Sequence, residues 1–147
     1  MRRILFFTHC SGTKDDSLRG TGAKVPPCRL YKAPFVQQFC KKAQSLGVPY
    51  AIFSDLYGFV FSTQKIEWYD VSPEEITQDL SKKERLFLNA LATLREFEAC
   101  YFYHLPDHVR PLHRLYRQLV EEMRKNGINL IEITSLSEID EHAESYE

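Results

Sequence analysis

The residue types best suited to chemistry lie directly after an apolar run near the amino terminus. Ile4–Phe7 is followed by Thr8–Lys14, which contains a thiol, an imidazole, hydroxyls and an ammonium group. Ligands bind at the carboxyl ends of parallel strands, which makes this segment a candidate site. A cation can lower the pKa of Cys10 and make it a nucleophile, and Lys14 can hold a phosphate or carboxylate. The alternatives are a buried Cys10 that only lines the site and a solvated Lys14.

A second polar cluster, Ser54–Gly58, closes another predicted strand. Gly58 permits a tight turn or a close approach of the backbone to a ligand. Tyr57 offers a ring for stacking and a hydroxyl, and Ser54 can orient a substrate. The alternative is an ordinary turn with a packed tyrosine.

The segment Glu67–Asp70 places two aromatic residues beside two carboxylates. Aromatic faces stack on nucleobases, and a carboxylate such as that of Asp70 accepts hydrogen bonds from the N–H groups of a purine edge. We therefore expect Trp68, Tyr69 and Asp70 to contact a base. The alternative is that Trp68 packs on the core just before a helix.

Histidines cluster after the third predicted strand. His104 and His108, with His9 as a third ligand, are one arrangement that would suit a metal ion. The spacing favours instead a single His104 that acts as an acid or base or contacts the substrate, and no metal or other cofactor is predicted.

The composition indicates one cytoplasmic domain spanning residues 1–147. Hydrophobic residues make up 44% of the chain, and no apolar run has the length of a membrane span or a signal peptide. The net charge of −1 does not suggest a general nucleic-acid clamp, but it leaves a local basic patch open, because charge balance says nothing about distribution. The four cysteines, Cys10, Cys28, Cys40 and Cys100, form no CxxC pair, which argues against a zinc ribbon. Cys40 and Cys100 are expected to pack as small buried hydrophobes, with their thiols reduced in the cytoplasm.

The hydrophobic pattern predicts alternating strands and helices. Strands are expected at 4–8, 48–53, 99–104 and 130–133, with helices at 34–47, 72–97 (with a break near Ser81) and 107–126. This order favours an α/β three-layer sandwich, in which a mainly parallel four-stranded sheet carries helices on both faces. Segment 10–32 is expected to be a long loop, and the acidic tail from Ser137 is expected to fray. Right-handed crossovers would bring the polar clusters to one edge of the sheet.

Several short motifs follow one another in a specific order. They are Cys10-x3-Lys14, Leu30-Tyr31-x3-Phe35, Ile52-Phe53-Ser54-x2-Tyr57-Gly58-Phe59-Val60 and Ile66-x2-Tyr69-Asp70-Val71-Ser72. The order resembles a widespread bacterial, archaeal and phage family of uncharacterised domains. It is more distantly similar to the catalytic domain of archaeosine synthase, which has a Pro-Cys-x3-Lys element, a Ser-Pro-Leu-Gly turn and a Tyr-Asp element. Cys10 and Lys14 match the first element, Ser54 and Gly58 the second, and Tyr69 and Asp70 the third.

The resemblance implies a fold like that of uracil-DNA glycosylases and an activity on a nucleobase. Archaeosine synthases act on a 7-deazaguanine base in tRNA. We therefore expect an enzyme that acts on a nucleobase or nucleoside, including a modified one, by transferase or glycosidase-type chemistry. Cys10, Lys14 and Asp70 would be catalytic, and the substrate-binding residues would be Ser54, Tyr57, Gly58, Trp68, Tyr69 and His104. The alternatives are a non-catalytic nucleotide- or nucleic-acid-binding module and a subunit that needs a protein partner; no membrane partner is expected.

Overall fold

The computed structural model describes residues 3–144, which fold around a five-stranded mixed sheet. The strands are β1 (Ile4–His9), β2 (Lys24–Val25), β3 (Tyr50–Ser54), β4 (Gly58–Phe61), β5 (Ile66–Glu67), β6 (Ala99–Tyr103) and β7 (Leu130–Ile133). The order in the main sheet is β4-β3-β1-β6-β7, while β2 and β5 form a separate antiparallel pair. Strand β4 is antiparallel to β3, and the other neighbours are parallel. The predicted mixed α/β class and mainly parallel sheet are confirmed.

The number of strands in the sheet needs a correction from four to five. Strand β4 returns directly from β3 through a tight turn, and Ser54 pairs with Gly58 across that hairpin. Gly58 adopts a φ of 75°, which L side chains rarely adopt. Strand β4 has only four residues, too few for a clear alternation of apolar and polar side chains, so the sequence pattern did not reveal it.

The central strands are apolar on both faces. Every residue of β1, β3 and β6 is buried, as expected for parallel strands that are covered on both sides. Phe7 on β1 stacks on Phe102 of β6 with 4.7 Å between ring centroids, and it meets Phe59 of β4 edge-on at 4.9 Å. These rings join β1 to its neighbour β6 and to β4, which lies beyond β3 in the sheet.

Residues 3–144 form six α-helices beside the sheet. They are α1 (Pro27–Leu30), α2 (Pro34–Leu46), α3 (Pro73–Gln78), α4 (Leu80–Leu94), α5 (Arg114–Lys125) and α6 (Ser137–Ala143). Helix α2 contacts α6, whereas α3, α4 and α5 contact one another. The predicted break in the 72–97 helix is present, and Asp79 caps α4 by accepting a hydrogen bond from the amide of Lys82. No helix within residues 3–144 has the length and apolar character needed to cross a membrane.

The helix that Asp107 was expected to cap begins at Arg114, six residues later than that cap would place it. Pro111 explains the difference, because proline lacks an N–H and its ring clashes with the preceding turn of a helix. His113 caps the helix instead, and its Nδ1 accepts a hydrogen bond from the amide of Leu115 at 3.0 Å. Residues 105–113 are therefore left as a connection at the edge of the sheet.

Segment 10–32 is more structured than the predicted long loop. It contains a 3₁₀ turn at Asp16–Leu18, strand β2, helix α1 and a β-bridge between Lys14 and Tyr31. A disulfide joins Cys28 to Cys40, with 6.2 Å between the Cα atoms. Cys40 is buried, as predicted, but the expectation that its thiol is free was wrong. Its partner Cys28 lies on helix α1, and the spacing of the cysteines in the sequence does not show that α1 and α2 bring the two residues together.

Most of the acidic tail folds as helix α6, contrary to the prediction that it frays, and the part of that prediction that concerns residues 145–147 lies outside the described residues. Ile139 is fully buried, and Asp140 forms an ion pair with Lys42 of α2 at 2.9 Å. The buried residues Ile139 and Ala143 are spaced by one helical turn, so the helix has an apolar side despite its charge.

We expect Ile139→Val to lower the free energy of unfolding by about 0.5–1.5 kcal/mol, because it removes one fully buried methylene group. Urea denaturation of the variant beside wild type would measure the change. Glu141→Ala, at an exposed position of the same helix, is the control and should have little effect. Equal stability of wild type and Ile139→Val would contradict the docking of this helix.

Candidate active site

A cavity of ≈ 420 Å³ lies where the carboxyl ends of β1, β3 and β6 meet. The segment before α3 and the connection before α5 complete its walls. The residues that line it are His9, Cys10, Ser11, Gly12, Lys14, Phe35, Asp55, Asp70, Val71, Ser72, Pro73, His104, Leu105, Arg110, Pro111, Leu112, His113 and Tyr116. Its position follows from topology, because parallel strands with right-handed crossovers end on the same edge of a sheet.

Four of the residues predicted for the site line this cavity. They are Cys10, Lys14, Asp70 and His104, which come from three separate segments of the chain. The other five lie outside its walls. Ser54 and Tyr69 belong to a hydrogen-bond network attached to the wall, and Tyr57, Gly58 and Trp68 lie elsewhere.

Cys10 is buried and has two hydrogen-bond partners. Its Sγ lies 3.2 Å from the hydroxyl of Tyr116 and accepts a hydrogen bond from the amide of Asp55 at 3.4 Å. Burial, with a contribution from the charge of Asp55, raises the pKa of the thiol to about 12. A thiol in this environment is neutral near pH 7, which favours a role in lining the cavity over a role as a resting nucleophile.

The strongest candidate for acid–base chemistry is Asp55, which the sequence analysis passed over. Its side chain is buried in the wall, and burial raises the pKa of the carboxyl group despite the hydrogen bond from Tyr69 and the nearby charge of Lys14. Carboxyl groups with raised pKa values in clefts are typical of general acids and bases.

Tyr69 is the centre of a buried hydroxyl network. Its Oη donates a hydrogen bond to Oδ1 of Asp55 at 2.8 Å and lies 2.7 Å from Oη of Tyr31 and 3.0 Å from Oγ of Ser54. Since the single proton of Tyr69 points to Asp55, the hydroxyls of Tyr31 and Ser54 donate to Tyr69. Ser54 Oγ also accepts hydrogen bonds from the amides of Leu56 and Tyr57. The network therefore fixes Asp55 and the turn after β3.

Two cations of the cavity wall rest on aromatic rings. Lys14 Nζ lies 4.4 Å from the centroid of the Tyr69 ring, and the guanidinium carbon of Arg110 lies 5.4 Å from that of Phe35. Within residues 3–144, neither cation forms an ion pair with a carboxylate. Both charges are therefore available to an anionic ligand.

His9 contributes a neutral ring to the wall. Its Nδ1 donates a hydrogen bond to the carbonyl of Cys10 at 2.8 Å, and the ring stacks on Tyr116 with 4.5 Å between centroids. Burial lowers the pKa of His9 to about 4, and the charge of Arg110 acts in the same direction. The aromatic wall formed by His9, Phe35 and Tyr116 thus carries no charge at neutral pH.

His104 reaches the cavity, but both of its ring nitrogens face protein acceptors. Nδ1 lies 2.9 Å from the carbonyl of Leu105, and Nε2 lies 2.9 Å from Oε1 of Glu132. Arg117 and Arg124 also bond Glu132, at 2.9 and 3.2 Å. Although burial opposes ionisation of Glu132, His104 and the two arginines together lower its pKa. This cluster holds the His104 ring in place and leaves neither nitrogen free for a substrate.

The aromatic residues predicted to stack on a base lie outside the cavity. Trp68 is half-buried against the core, and Arg19 covers its ring at 4.8 Å, so the packing alternative describes it. Tyr57 is 42% exposed at the tip of the β3–β4 hairpin, and Gly58 forms that turn. Sequence order alone does not show which side chains of a turn point into a cavity.

The residues that sequence reasoning missed are Asp55, Arg110, Phe35 and Tyr116. Asp55 directly follows Ser54 in a cluster that was recognised, so its position was a usable signal, whereas Phe35 and Tyr116 lie in apolar helical patterns that resemble ordinary core. Within residues 3–144, no three histidine, cysteine, aspartate or glutamate residues are placed to hold a metal ion.

Comparison with known proteins leaves the family of this chain open. No protein-family model, curated protein or solved structure was found to match it. The resemblance to archaeosine synthase therefore remains a prediction, and any function must be argued from the cavity itself.

Proposed function

We propose that the chain is an enzyme that binds a nucleobase or nucleoside in the cavity at the sheet edge and acts on it by transferase or glycosidase-type chemistry. The observation that carries the proposal is Asp55, a buried carboxyl group with a raised pKa, held by Tyr69 in the cavity wall. The volume of ≈ 420 Å³ is within the range of pockets for small organic ligands, about 300–1,000 Å³.

The walls offer what a heterocyclic ligand needs. The apolar ring surfaces of Phe35, Tyr116 and neutral His9 suit a planar base, and the exposed carboxylate of Asp70 can accept hydrogen bonds from its N–H groups. Lys14 and Arg110 would hold an anionic substituent. The proposed orientation places the base against the aromatic wall, with its reacting bond near Asp55.

In the proposed chemistry, Asp55 moves the proton. The C–N bond to the base would break as the protonated Asp55 gives its proton to the departing nitrogen, and a hydroxyl or amine of the acceptor would bond to the same carbon and return a proton to Asp55. The hydrogen bond from Tyr69 would orient the carboxyl group. Cys10 would contact the ligand as a neutral thiol.

We also propose that the fold is the three-layer sandwich of uracil-DNA glycosylases, as the resemblance implies. Central strands that are buried on both faces, and two separate groups of helices, support a three-layer sandwich of the uracil-DNA glycosylase type.

A non-catalytic nucleotide-binding module is the second candidate. Both ring nitrogens of His104 are hydrogen-bonded to the protein, and the pKa of Cys10 is raised. These features favour the binding module, because they leave Asp55 as the main group able to transfer a proton.

A ligand screen by thermal shift tests the binding step. We expect a nucleobase, nucleoside or nucleoside monophosphate, with 7-deazaguanines in the panel, to raise the melting temperature of wild type. Lys14→Ala should weaken binding of an anionic ligand roughly tenfold to a hundredfold, because a charge-assisted hydrogen bond is lost. The matched control is Lys41→Ala, an exposed lysine outside the cavity. Absence of any shift with wild type, or equal losses in both variants, would contradict the proposal.

Product analysis separates the enzyme from the binding module. Liquid chromatography and mass spectrometry of the best ligand after incubation with wild type should show a cleaved or modified base if the chain is an enzyme, and unchanged ligand if it only binds. A transferase needs its second substrate in the mixture, so the incubations should include amines and amino acids as acceptors.

A further inference from the structure

Asp55 also lines a second cavity, of ≈ 280 Å³. This cavity lies between the β3–β4 turn and helix α4, and its walls include Leu56, Tyr57, Lys82 and Arg85. The residue to which we assign proton transfer thus lines both cavities.

The turn presents apolar and aromatic surface at this second cavity. Leu56 is 43% exposed and Tyr57 42% exposed. The ring of Tyr57 meets that of Tyr69 edge-on, with 5.3 Å between centroids and an angle of 89°. Because Tyr69 is itself fixed by hydrogen bonds, the ring of Tyr57 is supported in one orientation while much of it stays open to solvent. An oriented, exposed aromatic ring is a platform on which a nucleobase can stack.

The opposite wall supplies positive charge. Arg85 forms no ion pair within residues 3–144, and Lys82 lies 4.0 Å from Asp79, at the limit of an ion pair. Both residues are exposed on α4. Glu67 lies close enough to influence the pKa of Tyr57, so the turn also carries one acidic neighbour. Cations beside an exposed aromatic ring are the combination that binds single-stranded nucleic acid, in which phosphates alternate with unpaired bases.

We propose that the second cavity binds the nucleotide next to the one held in the first cavity, so that the substrate is a single-stranded polynucleotide. This inference rests on the proposed function and names the class of its substrate. The base of the neighbouring nucleotide would stack on Tyr57, and its phosphate would lie near Arg85 and Lys82. The net charge of −1 fits a short contact of one or two phosphates rather than a long basic groove.

Binding of a mononucleotide and of a hexanucleotide tests the proposal. The mononucleotide is chosen as the one that gives the largest shift in the thermal-shift screen, and the hexanucleotide carries the same base. The comparison is made once with DNA and once with RNA. We expect either the DNA or the RNA hexanucleotide to bind wild type at least tenfold more tightly than the matching mononucleotide does. Tyr57→Ala should weaken hexanucleotide binding roughly tenfold, as loss of a base–aromatic stack does, and leave mononucleotide binding unchanged. Tyr57→Phe keeps the ring and should behave as wild type.

Salt dependence tests the role of the cations. Removal of one phosphate contact should reduce the slope of log K against log salt by about 0.7 for a single strand, so Arg85→Ala should flatten the slope for the hexanucleotide by that amount. Arg95→Ala, an exposed arginine at the other end of α4, is the matched control and should leave the slope unchanged.

The possible failures are distinct. Equal affinity of mononucleotide and hexanucleotide, or equal effects of Tyr57→Ala on both, would overturn the second subsite and leave the proposed function standing. Hexanucleotide binding that depends on Tyr57, without binding of any mononucleotide, would support the second cavity as a polynucleotide contact and count against the first. Binding of an acidic peptide in place of either nucleic acid would overturn the polynucleotide assignment.

Discussion

Asp55→Asn is expected to lower turnover by roughly 10²–10⁴-fold, the range over which a general acid or base contributes to catalysis. Asn keeps the size of the side chain and an oxygen that can accept the hydrogen bond from Tyr69, but it cannot exchange a proton. Ligand affinity should therefore change much less than turnover. Single-turnover kinetics together with calorimetric binding would measure the two separately.

The same substitution is expected to stabilise the folded protein near pH 7. Burial raises the pKa of Asp55 above its value in the unfolded chain, so the folded state binds the proton more tightly. The resulting contribution to stability is fully present below the unfolded pKa and is lost as the pH rises through the raised folded pKa. An asparagine has no charge to desolvate, so the variant should lack this loss.

Thermal unfolding across a pH series would show the change, with Asp16→Asn, an exposed aspartate outside the cavity, as the control. Full turnover by Asp55→Asn would contradict the assignment of Asp55 as the proton-transfer group. A variant that is less stable than wild type at neutral pH would show that the carboxylate is stabilised by its neighbours instead.

Tyr69→Ala is expected to lower the free energy of unfolding by about 3–5 kcal/mol, the typical cost of removing a buried aromatic side chain. Tyr69 is only 7% exposed, and its hydroxyl bonds Tyr31, Ser54 and Asp55. Tyr69→Phe separates the hydroxyl from the ring. We expect it to cost about 1–3 kcal/mol, because it leaves buried polar partners without their hydrogen bonds.

Tyr116→Phe is the matched control for the hydroxyl network. Among residues 3–144, its Oη bonds the Sγ of Cys10, a weak hydrogen-bonding partner, so its loss should cost less than that of the Tyr69 hydroxyl. Guanidinium denaturation of the three variants would rank them. If Tyr69→Phe and Tyr116→Phe proved equally stable, the network around Tyr69 would not contribute as the hydrogen bonds indicate.

Strand ends and helix caps made much of this fold predictable. The apolar run after Arg3, Pro34 at the start of α2 and Gly47 at its end all have local physical causes, and the structure confirms the elements they imply. The convergence of Cys10, Lys14 and His104 was predictable as well, because strand order and crossover handedness decide it. Asp70 also lines the cavity, but it precedes α3 and follows no strand of the main sheet.

The remaining features depend on contacts between distant parts of the chain. Whether Ser54, Asp55 or Tyr57 points into the cavity depends on how the β3–β4 turn is hydrogen-bonded, and Tyr69, which helps to hold that turn, lies 15 residues from Ser54. The late start of α5 was predictable from Pro111, a local signal that was overlooked. The disulfide and the docking of α6 were not, because each joins segments whose proximity only the finished fold creates.

The disulfide between Cys28 and Cys40 has a companion that does not depend on oxidation. The side-chain amide of Gln37 donates hydrogen bonds to the carbonyls of Cys28 at 2.7 Å and Tyr31 at 2.5 Å. Helix α1 is thus joined to α2 twice, once by a disulfide, which a reductant breaks, and once by hydrogen bonds, which a reductant leaves intact. Tyr31, whose carbonyl accepts one of these hydrogen bonds, also bonds Tyr69 and so connects to Asp55. Reduction of the disulfide should therefore lower the free energy of unfolding while the Gln37 hydrogen bonds keep Tyr31 in place beside Tyr69.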